Sequence, residues 1–275
     1  PTHFSKQALA SDESRIEALT DAIRIWPQSG FHLERATIFQ EVAKQVVTTG
    51  IQNPDESAIS DYREAARLHP FDPSSLVNQA NLLSQLNRDT EAEACFAKAI
   101  DLQGGMEPAF RSHFSLATHY LRKGIRIFDP QKPELAHDAL ELAAEQIERA
   151  VKEMHWVIAD MREPRLAIHE SLGASRESVG DREGALAAYD FAATLQEGKR
   201  AHYRAGVLIG KKAVEAWMKR RPSEAFYWFM EARKRIEQSG GHLPAGVTPS
   251  QRVEYLAYLD ERIAFFKRTK VEPAK

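Results

Sequence analysis

A small residue, a large apolar residue four positions later and an alanine three after that recur along this chain, and the recurrence leaves few folds open. The copies are Ala58/Tyr62/Ala65, Ala92/Phe96/Ala99, Ala143/Ile147/Ala150, Ala185/Tyr189/Ala192 and Ala225/Phe229/Ala232, with a degenerate Arg15/Leu19/Ala22 in front. Offsets of three and four residues place each triplet on one face of a helix. First members are 43, 34, 51, 42 and 40 residues apart, the range of repeats built from helix pairs. One such pair cannot bury both of its faces, so its neighbours must supply the rest. The pattern predicts an all-α stack of helix pairs. Stacks of this kind bind partners more readily than they catalyse.

The best copy runs from Leu172-Gly173-Ala174 through Gly180-Asp181-Arg182-Glu183-Gly184 to Ala185, Tyr189 and Ala192. It resembles the tetratricopeptide repeat, with that family's Leu-Gly pair, turn glycine and Ala, Tyr, Ala of the second helix in register. Small residues where two helices cross let their axes approach, and the aromatic fills the gap to the next pair. A second good copy, Leu76, Ala80, Leu83, Ala92, Phe96, Ala99, departs at Gln79 and at Gly104, which stands where the family closes on proline. Pro27 and Pro70 close the first two units, since the proline ring cannot continue a helix. The resemblance implies a right-handed α-solenoid of helix pairs with units at about 11–27, 30–70, 73–104, 108–154, 164–197 and 200–238. A last helix, about 249–268, is expected to cap the open end by burying Val253, Leu256, Ile263 and Phe266.

The helices expected from periodicity and end signals begin with one from Ser11 to Trp26, capped by Ser11 or Asp12, and Asp89 is expected to cap another. Pro164 is expected to open the helix that ends at Val179. Between Tyr120 and Ala143 there is room for about 14 extra residues, read as a long turn and a lengthened helix or as a functional protrusion.

Composition agrees and narrows little. With 275 residues, 43% hydrophobic and 28% charged, the chain can build a continuous core and is too apolar for disorder. No run approaches the roughly 18 apolar residues of a membrane helix. One cysteine, Cys95, excludes an internal disulfide, leaves cytoplasm and periplasm equally open, and reads as a buried, inert thiol. A chain that starts at Pro1 rather than methionine is expected to be a piece of something longer.

Catalytic constellations are weak. Gly206 to Lys212 looks like a phosphate loop, but it is one residue short between glycines, has lysine in place of the magnesium-binding hydroxyl, and lies in a helical segment. His169-Glu170 lacks the second histidine of a zinc helix. His113 and His119, six apart, share no face. Met154, Trp156 and Met161 read as core or turn fillers. The chain is therefore expected to be no enzyme and to need no cofactor.

Charge is uneven. Residues 1–70 carry 7 Lys/Arg and 10 Asp/Glu, whereas residues 199–235 carry 11 and 3. That basic stretch is either a solvated helix surface or an end that faces anions. No interleaved aromatic platform accompanies it, so nucleic acid is not expected. In the family resembled here the first helix of each pair lines a concave groove. Carrying its ligand-facing positions over yields Asn78, Asn81, Arg111, Thr118, Arg122, Arg204 and Lys211. Amides can bond an extended peptide backbone and cations can pair with its acidic end. Lys219-Arg220-Arg221, at a turn, falls off that face. The resemblance thus implies a module that binds a peptide or protein segment, acidic ones included. An alternative is the accessory domain of a membrane-bound O-antigen polymerase or ligase, which Ala22-Ile23-Arg24-Ile25-Trp26-Pro27 and Leu33-Glu34-Arg35-Ala36 resemble.

Overall fold

The computed structural model describes residues 3–44, 52–103, 110–129, 131–153, 158–195, 198–244 and 246–274. Side chains of 3–10, 103, 110, 153 and 158–162 lie outside that description, as do Gly104, Met154 and Trp156 and the side chain of Met161. Every regular element among the described residues is a helix. In chain order they are α1 His3–Ile25, α2 Ser29–Lys44, α3 Pro54–Leu68, α4 Ser74–Gln85, α5 Asp89–Gln103, α6 Phe110–Ile127, α7 Glu134–Glu153, α8 Ile158–Ser178, α9 Arg182–Thr194, α10 Lys199–Met218, α11 Pro222–Gln238 and α12 Pro249–Arg268. They form two compact units. The first holds α1 to α5, α6 as far as His119 and α7 from Gln146; the second holds Tyr120 to Glu145 and α8 to α12.

Within the first unit α2 packs on α3 and α4 on α5, with α1 on α2 and α3 on α4. The signature residues explain why. Ala58, Tyr62, Ala65, Ala92, Phe96 and Ala99 are all essentially buried, so each alanine marks a close crossing and each ring fills the space beside it. In the degenerate copy, Arg15 is exposed and Leu19 and Ala22 are only half-buried. A terminal helix has a neighbour on one side only, which relaxes the demand for small residues. His119, on the first half of α6, places its Nδ1 2.8 Å from Ser84 Oγ of α4, and its ring lies 5.9 Å from that of Phe96. That fixes α6 beside α4 and α5.

In the second unit α8 packs on α9 and α10 on α11, with α9 on α10 and α11 on α12. A methyl group at Gly173 would sit 2.6 Å from Cε1 of Tyr189, and one at Gly206 2.7 Å from Cδ1 of Ile236. These glycines are small because a neighbouring side chain occupies the place of a Cβ. Gly124 does the same against Leu140, where a Cβ would lie 2.8 Å from Cγ. The extra residues between Tyr120 and Ala143 are therefore two lengthened helices joined by a short turn, packed on each other rather than protruding as a loop.

Several expected boundaries move. α1 runs on from His3 through Ser11 and Asp12, so neither residue caps it. Asp89 is the first residue of α5 rather than its cap. α8 starts at Ile158 and contains Pro164 at its seventh position, past the first turn, where the ring removes one i→i−4 hydrogen bond. Where caps were legible they form: Asp181 accepts a 2.9 Å bond from the Gly184 amide at the head of α9. Thr248 and Gln251 make a reciprocal capping box before α12. The final helix buries Leu259, Ile263 and Phe266 against the core of α11, yet Val253 is 62% exposed and Leu256 only half-buried. The correction follows from geometry, since only the C-terminal half of α12 carries the fully buried positions.

Candidate functional site

The sequence-derived candidates divide between the units. Asn78, Asn81, Arg111 and Thr118 belong to the first, and Arg122, Arg204 and Lys211 to the second. On α4, Ser75, Leu76, Gln79, Ala80, Leu82, Leu83 and Ser84 are buried. What the helix shows to solvent is the stripe Ser74, Asn78 and Gln85, with Asn81 half-exposed between. α4 contains no charged residue at all. A solvated helix face ordinarily displays Lys, Arg, Asp or Glu, so a stripe of uncharged amides is unusual. Arg111 is exposed and Thr118 half-buried on α6, seven residues apart and hence on one face. The Thr118 hydroxyl donates to the Phe114 carbonyl at 3.0 Å, which leaves its oxygen able to accept.

In the second unit the corresponding cations are engaged. Lys211 donates to Glu177 at 2.6 Å, and Arg200 to Glu170 at 2.8 Å. Arg204 hydrogen-bonds the Tyr189 hydroxyl, whose pKa burial pushes far above the ordinary phenol range. The result is a ladder in which the basic stripe of α10 lies on the acidic stripe of α8. Arg122 is exposed.

Much of the basic stretch at 199–235 is likewise neutralised. Arg235 pairs with Asp190 at 2.8 Å, Arg233 with Asp260 and Glu237, and Lys234 with Glu231 at 3.5 Å. The Lys212 ammonium sits 3.9 Å from the Trp228 ring centroid. The phosphate-loop lookalike is interior helix, where Gly210 makes room for the Tyr255 hydroxyl. His169 is buried with its ring 4.3 Å from that of Phe191, while Glu170 is held by Arg200. His113 places Nδ1 2.7 Å from Gln146 Oε1. No group of three or more His, Cys, Asp or Glu among the described residues could hold a metal. Cys95 is half-buried rather than buried, and burial raises its thiol pKa, so the thiolate remains disfavoured.

Sequence reasoning missed one polar cluster in the first unit. Asp61, buried on α3, accepts from Arg35 Nε and Nη2 at 2.7 Å each, and its Oδ1 lies 2.8 Å from His32 Nδ1. Arg35 also donates to Thr20 Oγ1 of α1 at 2.8 Å. The network ties α1, α2 and α3 together. Its signal was present: Asp61 lies three after Ala58 and four before Ala65, a carboxylate on an otherwise apolar stripe.

No family model matches the chain, and no curated protein does. Among solved structures, the crystal structure of MamA protein is similar at 14% identity over 80% of this chain and 98% of that one, with a TM-score of 0.45. A tetratricopeptide repeat protein from Parabacteroides merdae is similar at 13% identity over 93% and 80%, with a TM-score of 0.41. Yeast Tom70 is similar at 14% identity over 92% of this chain and 50% of its own, with a TM-score of 0.31. The helix pairs pack through small residues, with Gly173 under Tyr189 and each alanine of the complete triplets buried. No helix among the described residues is long and apolar enough to cross a membrane.

Proposed function

We propose that the chain is a protein-interaction module that binds an extended, acidic segment of a partner protein along exposed stripes of first helices. The observation that carries this reading is the amide stripe of α4, a helix buried on its other faces that offers solvent Asn78, Asn81 and Gln85 and no charge. Each amide carries both donors and an acceptor, as a peptide backbone does. In the first unit Asn78 and Asn81 bond the backbone of the segment, Thr118 accepts at its edge, and Arg111 faces its negative charge. On the second unit Arg122 faces an acidic side chain of a segment bound there. Arg204 and Lys211 do so by exchanging partners, a ligand carboxylate for Glu177, which yields less net affinity because one ion pair replaces another.

The test begins with capture of partners on the immobilised chain, followed by titration of each captured protein against variants. Asn78→Ala with Asn81→Ala should weaken binding by about tenfold or more, and Arg111→Ala by about 1.5–3 kcal/mol. Affinity for wild type should fall as salt rises. Arg67→Ala on α3, which removes an exposed i,i+3 pair with Glu64, should leave binding unchanged. If every captured partner binds the amide and arginine variants as tightly as wild type, the stripe is not the site.

A further inference from the structure

Beyond the stripes of the first helices, the second unit carries a hollow of about 660 Å³ where the α10–α11 turn meets the end of α12, within the usual size of a ligand site. Trp217, Met218, Pro222, Phe265 and Val271 supply apolar walls, and Arg220 lines it beside them. Trp217 is held edge-on to Phe265 at 5.6 Å and to Phe266 at 5.2 Å, so the wall is rigid. It is also open: Met218 is 76% exposed, Trp217 45% and Phe265 40%.

The charge that lines the hollow is that of Arg220, and the turn and tail on either side of it are basic in sequence. Segments 217–222 and 265–271 carry Lys219, Arg220, Arg221, Lys267, Arg268 and Lys270 and no acidic residue. Arg221 reaches Glu224 at 3.4 Å; the other five make no ion pair among the described residues. Two of these cations stand where the backbone disfavours any side chain. Arg220 and Lys270 both have φ of 57°, the left-handed region that suits glycine and asparagine. The α4–α5 and α10–α11 turns make the same amide bonds, Arg88 N to Leu83 O and Arg221 N to Ala216 O, each at 2.9 Å. The left-handed residue is Asn87 in the first and Gly180 in the α8–α9 turn, but Arg220 in the last. An arginine held at a left-handed position where it lines an apolar hollow is a reason to look for function there.

We propose that this hollow is a second docking site, which takes a large apolar side chain from a partner protein where that side chain is flanked by aspartate or glutamate. The apolar walls receive the side chain, and Arg220, in a basic turn, meets a carboxylate beside it. A concave hollow of this volume suits one protruding anchor better than a flat bilayer.

The experiment titrates the full chain with a short fluorescein-labelled peptide in which Phe-Leu is flanked by glutamates, read by anisotropy. Control peptides replace Phe-Leu by Ser-Ser or the glutamates by glutamines, and a parallel arm uses anionic phosphatidylglycerol vesicles. Saturable binding to the first peptide is expected, weakened about fivefold or more in either control and at raised salt. Met218→Asp and Arg220→Gly should each weaken it by a similar factor. Arg220→Gly removes backbone strain and should raise the melting temperature while it loses the ligand, so misfolding cannot mimic the result. Arg67→Ala, outside both sites, should bind the peptide as wild type does; loss of binding in Asn78→Ala with Asn81→Ala but not in Met218→Asp or Arg220→Gly would put the peptide on the stripe of α4 and overturn the second site. The proposal is overturned if wild type does not bind the peptide, if the Ser-Ser control binds equally, if both variants keep wild-type affinity, or if vesicles bind and the peptide does not.

Discussion

One position before the large residue of each signature copy stands a side chain that changes chemically from repeat to repeat: Asp61, Cys95, Gln146, Ala188 and Trp228. Three of them meet a polar partner on the first helix of their pair, namely His32, His113 and Lys212. Each pair thus carries its own internal contact inside a common apolar frame. Asp61→Ala should cost about 3–5 kcal/mol, because it leaves His32 and Arg35 facing a buried gap; urea denaturation checks this. At the crossings the frame tolerates nothing larger than it has. Ala185 is fully buried beside Tyr189, Ala205 and Leu208, so Ala185→Phe should cost about 1–3 kcal/mol or more, and an unchanged melting temperature would show the register to be wrong. His202 supplies a pH signature. Burial, then the nearby Arg235, lower its pKa, with Asp190 opposing. The unfolded chain therefore takes up the proton first as pH falls through the ordinary histidine range, and the fold loses stability there. His202→Gln should flatten the fall in melting temperature between about pH 7 and 5.5, where carboxylates contribute little.

At the scale of the element, α12 shows how half a helix does the capping. Leu259, Ile263 and Phe266 pack with Phe226, Phe229 and Ile236 of α11, and the Phe226 and Phe266 rings stack at 5.3 Å. The Ala274 amide then bonds Ser223 O at 2.9 Å, drawing the tail across the head of α11. Leu259→Ala should cost about 2–5 kcal/mol, whereas Val253→Lys should stay within about 0.5 kcal/mol of wild type. Thermal or urea unfolding of the two variants side by side separates them. Removing 249–275 uncovers the aromatic face of α11 and should bring dye binding or aggregation; a truncated chain that stays monomeric and fully helical would end the capping assignment.

For the whole molecule, stability in a stacked array is a sum of pairs and of contacts between neighbours. Hydrogen exchange in Ala185→Phe should therefore quicken in α8, α9 and α10 while α2 and α3 keep their protection. The helices and their order were legible because the Ala, aromatic, Ala spacing is a packing rule written directly in residue size. Helix starts were less so, as α1 and α8 show, because a serine or proline within a helical run looks like a beginning until its neighbours are known. The Asp61 cluster escaped because an acid on an apolar stripe has no meaning without its partners, which lie 26 and 29 residues away. The stripe of α4 could be listed by analogy, but only burial of its other faces shows that the polar groups it presents carry no charge. The ladder between α8 and α10 has a consequence of another kind. Glu170 and Glu177 require Arg200 and Lys211 opposite, and a second acidic α8 in that place would repel. The repeat that holds α8 therefore accepts a basic successor and refuses its own duplicate. A gene that copied this module in tandem would encode a chain with mismatched neighbours, so the order of these two repeats is locked by charge as well as by shape.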